Sequence, residues 1–165
     1  IRDKHVTGVQ TCALTILDMQ PILGNNKVLA DQLELYELEP FGEYGGQKIG
    51  LKGRLDPISA EGLGAKLEDK LGSPIKVIGS GEIQTLGIVS GGAADILSQA
   101  TEASLDAYLT GEGANHHYHE SIESECVLFL AGHYATETGG VKSVGKHLEG
   151  QFGIKTEFLD YPTGM

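Results

Sequence analysis

Short apolar runs alternate with stretches of helical periodicity along most of this chain, and that alternation restricts its fold class more than any other feature. Pro74–Ile78 (PIKVI), Thr85–Ser90 (TLGIVS), Asp106–Thr110 (DAYLT) and Cys126–Ala131 (CVLFLA) are short runs bounded by turn residues, and they read as strands. The segments between them repeat with helical spacing. In KVLADQLEL, Val28, Leu29, Leu33 and Leu35 form an apolar face behind the turn and cap signal Gly24-Asn25-Asn26. Ser59 caps a second helix, Leu63, Leu67 and Leu71 follow at i, i+4 and i+8, and Gly72 ends it. A further helix runs from Gly91-Gly92 through Ala100, a His-rich helical stretch separates the runs at 106–110 and 126–131, and a last helix is expected from Glu137. Lys48–Leu55 alternates weakly and reads as a strand, Pro40–Gly46 as a loop, and Ile154–Leu159 as a closing strand. Strands and helices joined by short links predict an α/β protein with mixed sheets and flanking helices rather than a sandwich.

A chain of 165 residues is expected to form one domain, or at most two small ones. Its formal net charge of −11 repels phosphate backbones and anionic lipid, so nucleic-acid and membrane partners are disfavoured. No apolar run approaches the ~20 residues that a membrane-spanning helix needs. Cys12 and Cys126 are too few for a disulfide framework or a cysteine zinc site, and the chain reads as cytoplasmic.

Residues 1–16 (IRDKHVTGVQTCALTI) show no period, cap or charge pattern. They resemble the reading-frame translation of a sequencing-library adapter. Val6–Ile16 follow that frame except at Thr15, where the adapter gives proline, and Ile1-Arg2-Asp3 match just upstream of a variable index. This segment is expected to be foreign to the fold that residues 17–165 build. Setting it aside leaves a net charge of −12, because Arg2, Lys4 and Asp3 contribute +1.

The clearest chemical signal is Gly132-His133-Tyr134-Ala135-Thr136-Glu137, which follows an apolar strand and opens a helix. Ligand sites in α/β folds sit at such strand ends. His133 and Glu137 stand at i and i+4, so on a helix they share a face. The spacing fits a pair of metal ligands, and equally a solvent-facing ion pair. Asp18, ahead of Gly24-Asn25-Asn26, is a further acidic candidate, and Glu112 stands at the end of the 106–110 strand. His116-His117-Tyr118-His119-Glu120 is not the zinc motif H-E-x-x-H. Neighbouring helical histidines point about 100° apart, so this cluster reads as a solvated polar face with at most one histidine turned to a site. Two phosphate-loop lookalikes are set aside. Gly140–Lys146 has His147 where a magnesium-binding hydroxyl belongs, and Gly79-Ser80-Gly81 lacks the third glycine of the dinucleotide fingerprint.

Taken in order, LDMQPILGNN, GIVSGGAAD, DAYLTGE and AGHYATETGGVK resemble the motifs of the Nif-three family of dinuclear-metal-centre proteins, also described as GTP cyclohydrolase type-two homologues. The resemblance spans nearly all of residues 17–159. It implies two interlocked α/β units assembled as a ring-shaped homohexamer. It also implies a metal-dependent hydrolase of a small-molecule substrate with two divalent ions (zinc, iron or manganese). Asp18 and His133 fall on terminal metal ligands and Glu137 on a bridging one, with Glu112 supporting a ligand or moving a proton. The family also carries a histidine pair in a leading segment that has no counterpart here. The chain is therefore expected to be the C-terminal part of a longer protein, inactive by itself and holding at most one ion. The other function weighed is a non-catalytic metal-binding scaffold acting through its oligomer.

Overall fold

The computed structural model describes residues 16–162, so the segment expected to be foreign lies outside the described residues except for Ile16. After helical backbone at 16–19, the elements are α1 (Asn25–Gln32), β1 (Tyr36–Tyr44), β2 (Gln47–Ser59), α2 (Ala60–Leu71), β3 (Lys76–Ile78) and β4 (Glu82–Ile88). A 3-10 turn, Ala94–Ile96, then leads into α3 (Leu97–Glu102), β5 (Ala107–Thr110), α4 (Asn115–Ser124), β6 (Val127–Leu130) and α5 (His133–Phe152). The strands form one six-stranded mixed sheet in the order β1-β2-β4-β5-β6-β3. The β4, β5 and β6 strands are mutually parallel, and the remaining pairings are antiparallel. The α/β architecture with flanking helices is therefore as expected.

Strands buried on both faces need apolar side chains in both directions, and β5 and β6 supply them. Ala107, Leu109, Val127 and Phe129 join the core formed with Leu29, Leu33, Leu63 and Leu67 of α1 and α2. Tyr108, Leu128 and Cys126 point the other way, toward Ile96, Leu97 and Ala100 of the 3-10 turn and α3. Burial pushes the Cys126 thiol up to about 12. Ser59 accepts from the Gly62 N–H at 3.0 Å and Gly72 takes the left-handed conformation, so α2 starts and stops as its sequence predicts. No helix among the described residues is long and apolar enough to cross a membrane.

Three local expectations are overturned. Pro40–Gly46 is not a loop. Residues 40–44 belong to β1, which occupies the edge of the sheet, where proline's missing N–H goes unmissed. The turn is confined to Gly45-Gly46, both with positive φ, as a two-residue hairpin connection requires. The partner strand β2 accordingly runs well beyond 48–55. Ile154–Leu159 forms no strand. It folds back along α5, where Thr156 donates from its backbone N–H and Oγ to Glu149 and Lys142 lies over the Phe158 ring.

Candidate metal centre

The loops that follow β4, β5 and β6 lie side by side because those strands are adjacent and parallel. Each contributes a polar group to one cluster at their C-terminal ends. The loop after β4 is Ser90-Gly91-Gly92, the loop after β5 presents Glu112, and β6 runs into α5, which begins at His133 rather than at Glu137. Starting the helix there puts His133 and Glu137 on its first two turns and on one face. Backbone hydrogen bonds stitch the loops together: Gly111 N–H donates to Gly91 O at 2.8 Å, and Gly132 N–H to Gly111 O at 2.8 Å. Thr136 Oγ1 accepts from the Gly91 N–H at 3.0 Å, tying the first turn of α5 to the β4 loop.

Within this frame His133 is held from both sides. Its Nδ1 lies 2.9 Å from Glu112 Oε1, and its Nε2 lies 3.2 Å from Glu137 Oε1. A carboxylate only accepts, so Glu112 fixes the proton on Nδ1 and, in the neutral ring, leaves the Nε2 lone pair facing the Glu137 carboxylate. A second ring proton or a metal cation at Nε2 satisfies both acceptors. Partial burial opposes charge on His133, but its hydrogen bond to Glu112 and the field of both glutamates outweigh that, so its pKa lies above the ordinary value. Burial raises the Glu137 pKa, the Asp18 carboxylate raises it further, and His133 pulls against both. The backbone leaves room for the pair: a Cβ on Gly91 would sit 2.3 Å from Glu137 Oε1 and 3.2 Å from His133 Nε2.

Asp18 belongs to the same pocket without closing on that pair. Its Oδ1 accepts from Asn25 Nδ2 at 2.7 Å and from Ser90 Oγ at 3.1 Å, next to Gly91. Two carboxylates repel, and these neutral donors hold Asp18 beside Glu137 instead of against it. Asp18, His133 and Glu137 therefore do not form a group of three donors within one ion's reach.

One such group occurs among the described residues, and it lies elsewhere. Donor atoms of Asp95, His116 and His117 all fall within 4.8 Å of one another. The stretch is nonetheless the solvated polar face expected, with one histidine turned inward: His116, Tyr118 and His119 are exposed. The His116 and His117 rings tilt together with centroids 3.9 Å apart, and His117 is buried. In the first turn of α4 no earlier turn restricts their rotamers, so neighbouring side chains can converge. The hydrogen bonding of His117 is the reverse of His133's. Its Nδ1 accepts the Ala114 N–H at 2.9 Å, which places the proton on Nε2, 2.9 Å from Asp95 Oδ1. A histidine three residues into a helix that reaches back to the capping N–H completes half of a capping box. That Nε2 lone pair is already protonated.

Asn25 and Asn26 had read as turn and cap residues. The cap is Gly24, whose side chain offers nothing, and both asparagines are buried at 1% exposure. A pair of asparagines just inside a helix start, where one would suffice outside it, was the available signal.

A family model described as Duf34/NIF3 (NGG1p interacting factor 3) matches residues 11–163. The chain is 42% identical over 155 residues to a GTP cyclohydrolase 1 type 2 homolog from Halobacterium salinarum, covering 90% of this chain and 61% of that protein. It spans about three fifths of the length of the curated relatives it matches. Among solved structures, that of TTHA1606 from Thermus thermophilus superposes with a TM-score of 0.79 at 32% identity, covering 90% of this chain and 59% of that one. Protein ybgI, described as of unknown function, superposes with a TM-score of 0.82 at 27% identity, with 90% and 60% covered. The motifs, the fold and these matches agree: the chain belongs to the Duf34/NIF3 family.

Proposed function

We propose that this chain supplies part of a divalent-metal site to a metal-dependent hydrolase, with His133 and Glu137 as the paired ligands and Asp18 as a further carboxylate beside them. The observation that carries the reading is the orientation of His133, with Glu112 on Nδ1 and Nε2 aimed at Glu137. A carboxylate–histidine–metal arrangement orients imidazoles in this way. The donor set fits a divalent ion of the zinc, iron or manganese type, since imidazole and carboxylate together suit these metals. Bound there, such an ion supplies Lewis acidity for hydrolysis. The residues of the chain do the rest. Glu112 keeps the Nδ1 proton in place and orients the ring, Glu137 supplies charge from a half-buried position, and Asp18 adds a second carboxylate beside them.

Three candidate ligands are too few for two ions, so this chain would hold at most one. The second ion, the ring-shaped hexamer and a cytoplasmic location extend the reading through the family. Cyclohydrolase chemistry on GTP stands in the names of relatives, and the proposed site is argued without it. The test is metal analysis of the chain beside His133→Ala and Glu137→Ala, with hydrolysis of a nucleotide and phosphoester panel measured at a fixed metal concentration. Up to one equivalent of metal, lost in both variants, is the expected result. Metal retained in both would refute the assignment.

A further inference from the structure

The two buried asparagines tie the Asp18 segment to β2, to the β4 loop and to α5. Asn25 Nδ2 donates to Asp18 Oδ1 at 2.7 Å while its Oδ1 accepts from the Gly140 N–H on α5. Asn26 Nδ2 donates to the backbone oxygens of Asp18 at 3.0 Å and Ile49 at 2.8 Å, and its Oδ1 accepts from the Ser90 N–H at 2.8 Å. Burying an amide costs free energy unless its hydrogen bonds are replaced, and here they are. Neither side chain caps α1. Asparagine inside a helix start gains nothing from helix propensity, so the reason for these two lies in what they bind.

The position of Gly140 gives the arrangement its direction. His133, Glu137 and Gly140 stand at i, i+4 and i+7 on α5, one stripe of the helix. Asn25 therefore reads the same face that presents the candidate ligands, about two turns further along. A Cβ at position 140 would lie 2.7 Å from Asn25 Oδ1, so glycine there is what admits the amide. At its other end the same amide holds Asp18. Asn25 is thus the side chain that ties the Asp18 carboxylate to α5, while Ser90 ties it to the β4 loop.

We infer that Asn25 is a positioning residue that holds the Asp18 carboxylate beside the His133–Glu137 pair, where its charge favours metal binding there without a direct bond to the ion. Gly140 provides the seat it needs. The inference rests on the proposed metal site and adds the element that assembles it from two distant stretches of chain. Asn26 fixes the backbone of the same Asp18 segment to β2 and to the β4 loop, so it acts on where the segment runs. Asn25 acts on the carboxylate itself.

The experiment is a double-mutant cycle with cobalt(II) alone as the probe. The visible absorption of the bound ion gives affinity, and thermal unfolding of the same samples gives stability. The variants are Asp18→Asn, Asn25→Ala, the double variant and Gly140→Ala, with His133→Ala defining binding at this site. Asn25→Ala is expected to weaken cobalt affinity about tenfold, the lower end of what loss of a ligand-supporting partner costs. It should have no further effect on affinity in the Asp18→Asn background, while still lowering Tm there. Gly140→Ala should reproduce the affinity loss and alter the absorption spectrum of the residual complex. Equal affinity losses in both Asp18 backgrounds would mean that Asn25 acts only through general stability, and would overturn the inference. So would an unchanged affinity in Asn25→Ala if Asp18→Asn weakens it. If His133→Ala leaves cobalt binding intact, the site reading itself fails, a result separate from either of these.

Discussion

Two histidine–carboxylate clusters lie in this molecule, and their proton inventories differ. At α4, Asp95, His116 and His117 bring three donor atoms close together. At α5, His133 and Glu137 bring two, with Glu112 behind and Asp18 beside them. By proximity alone the first is the better metal site. The Nδ1 partners reverse that ranking. A backbone N–H on His117 Nδ1 forces the proton onto Nε2, which then serves as a donor to Asp95. A carboxylate on His133 Nδ1 does the opposite and leaves Nε2 free to bind a cation. One cluster latches the start of a helix, and the other is the one we propose as the ion's site.

Substitutions can break this contrast, beginning with the largest effect. His133→Ala should lower divalent-metal affinity by at least ~100-fold, beyond the range for loss of a supporting partner. His117→Ala should leave affinity unchanged, and titration of each variant with zinc would check the pair. Next comes Glu112→Ala, which removes the group that orients His133. A loss of ~10–100-fold in affinity with little change in Tm is expected.

The α4 cluster should answer in stability instead. His117→Ala removes a buried ring and the acceptor for the Ala114 N–H, and ~1–2 kcal/mol of destabilisation is expected from denaturant unfolding. The smallest effect belongs to Asp95→Ala. The Asp95 side chain is 93% exposed, so its loss should change stability by no more than ~0.5 kcal/mol and leave metal content unchanged. A fall in metal content in this last variant would turn the comparison around.

Much of the architecture was legible in the sequence because it rests on local rules. The runs at 74–78, 106–110 and 126–131 each contain a strand, the run at 85–90 covers the second half of β4, and Ser59 and Gly72 bound α2 as caps. Pro40–Gly46 misled because proline fits a strand only at special places such as a sheet edge, and edge position is a property of the whole sheet. Ile154–Leu159 misled because a strand needs a neighbour, and this segment meets α5 instead. The i, i+4 spacing made His133 and Glu137 readable as a pair, and Glu112 stood out at its strand end. The roles of Asn25, Asn26 and His117 were hidden, since each depends on partners many positions away: Gly140, Ser90 and Asp95.

The histidine ring nitrogens report the central claim directly. Long-range 1H–15N correlation spectra of the chain, recorded during titration with zinc, resolve the protonation of each Nδ1 and Nε2. The account predicts that zinc moves the His133 Nε2 resonance to a metal-bound position with its Nδ1 still protonated. His117 should keep its proton on Nε2 throughout. Zinc-induced loss of the His117 Nε2 proton, with His133 unmoved, would contradict it.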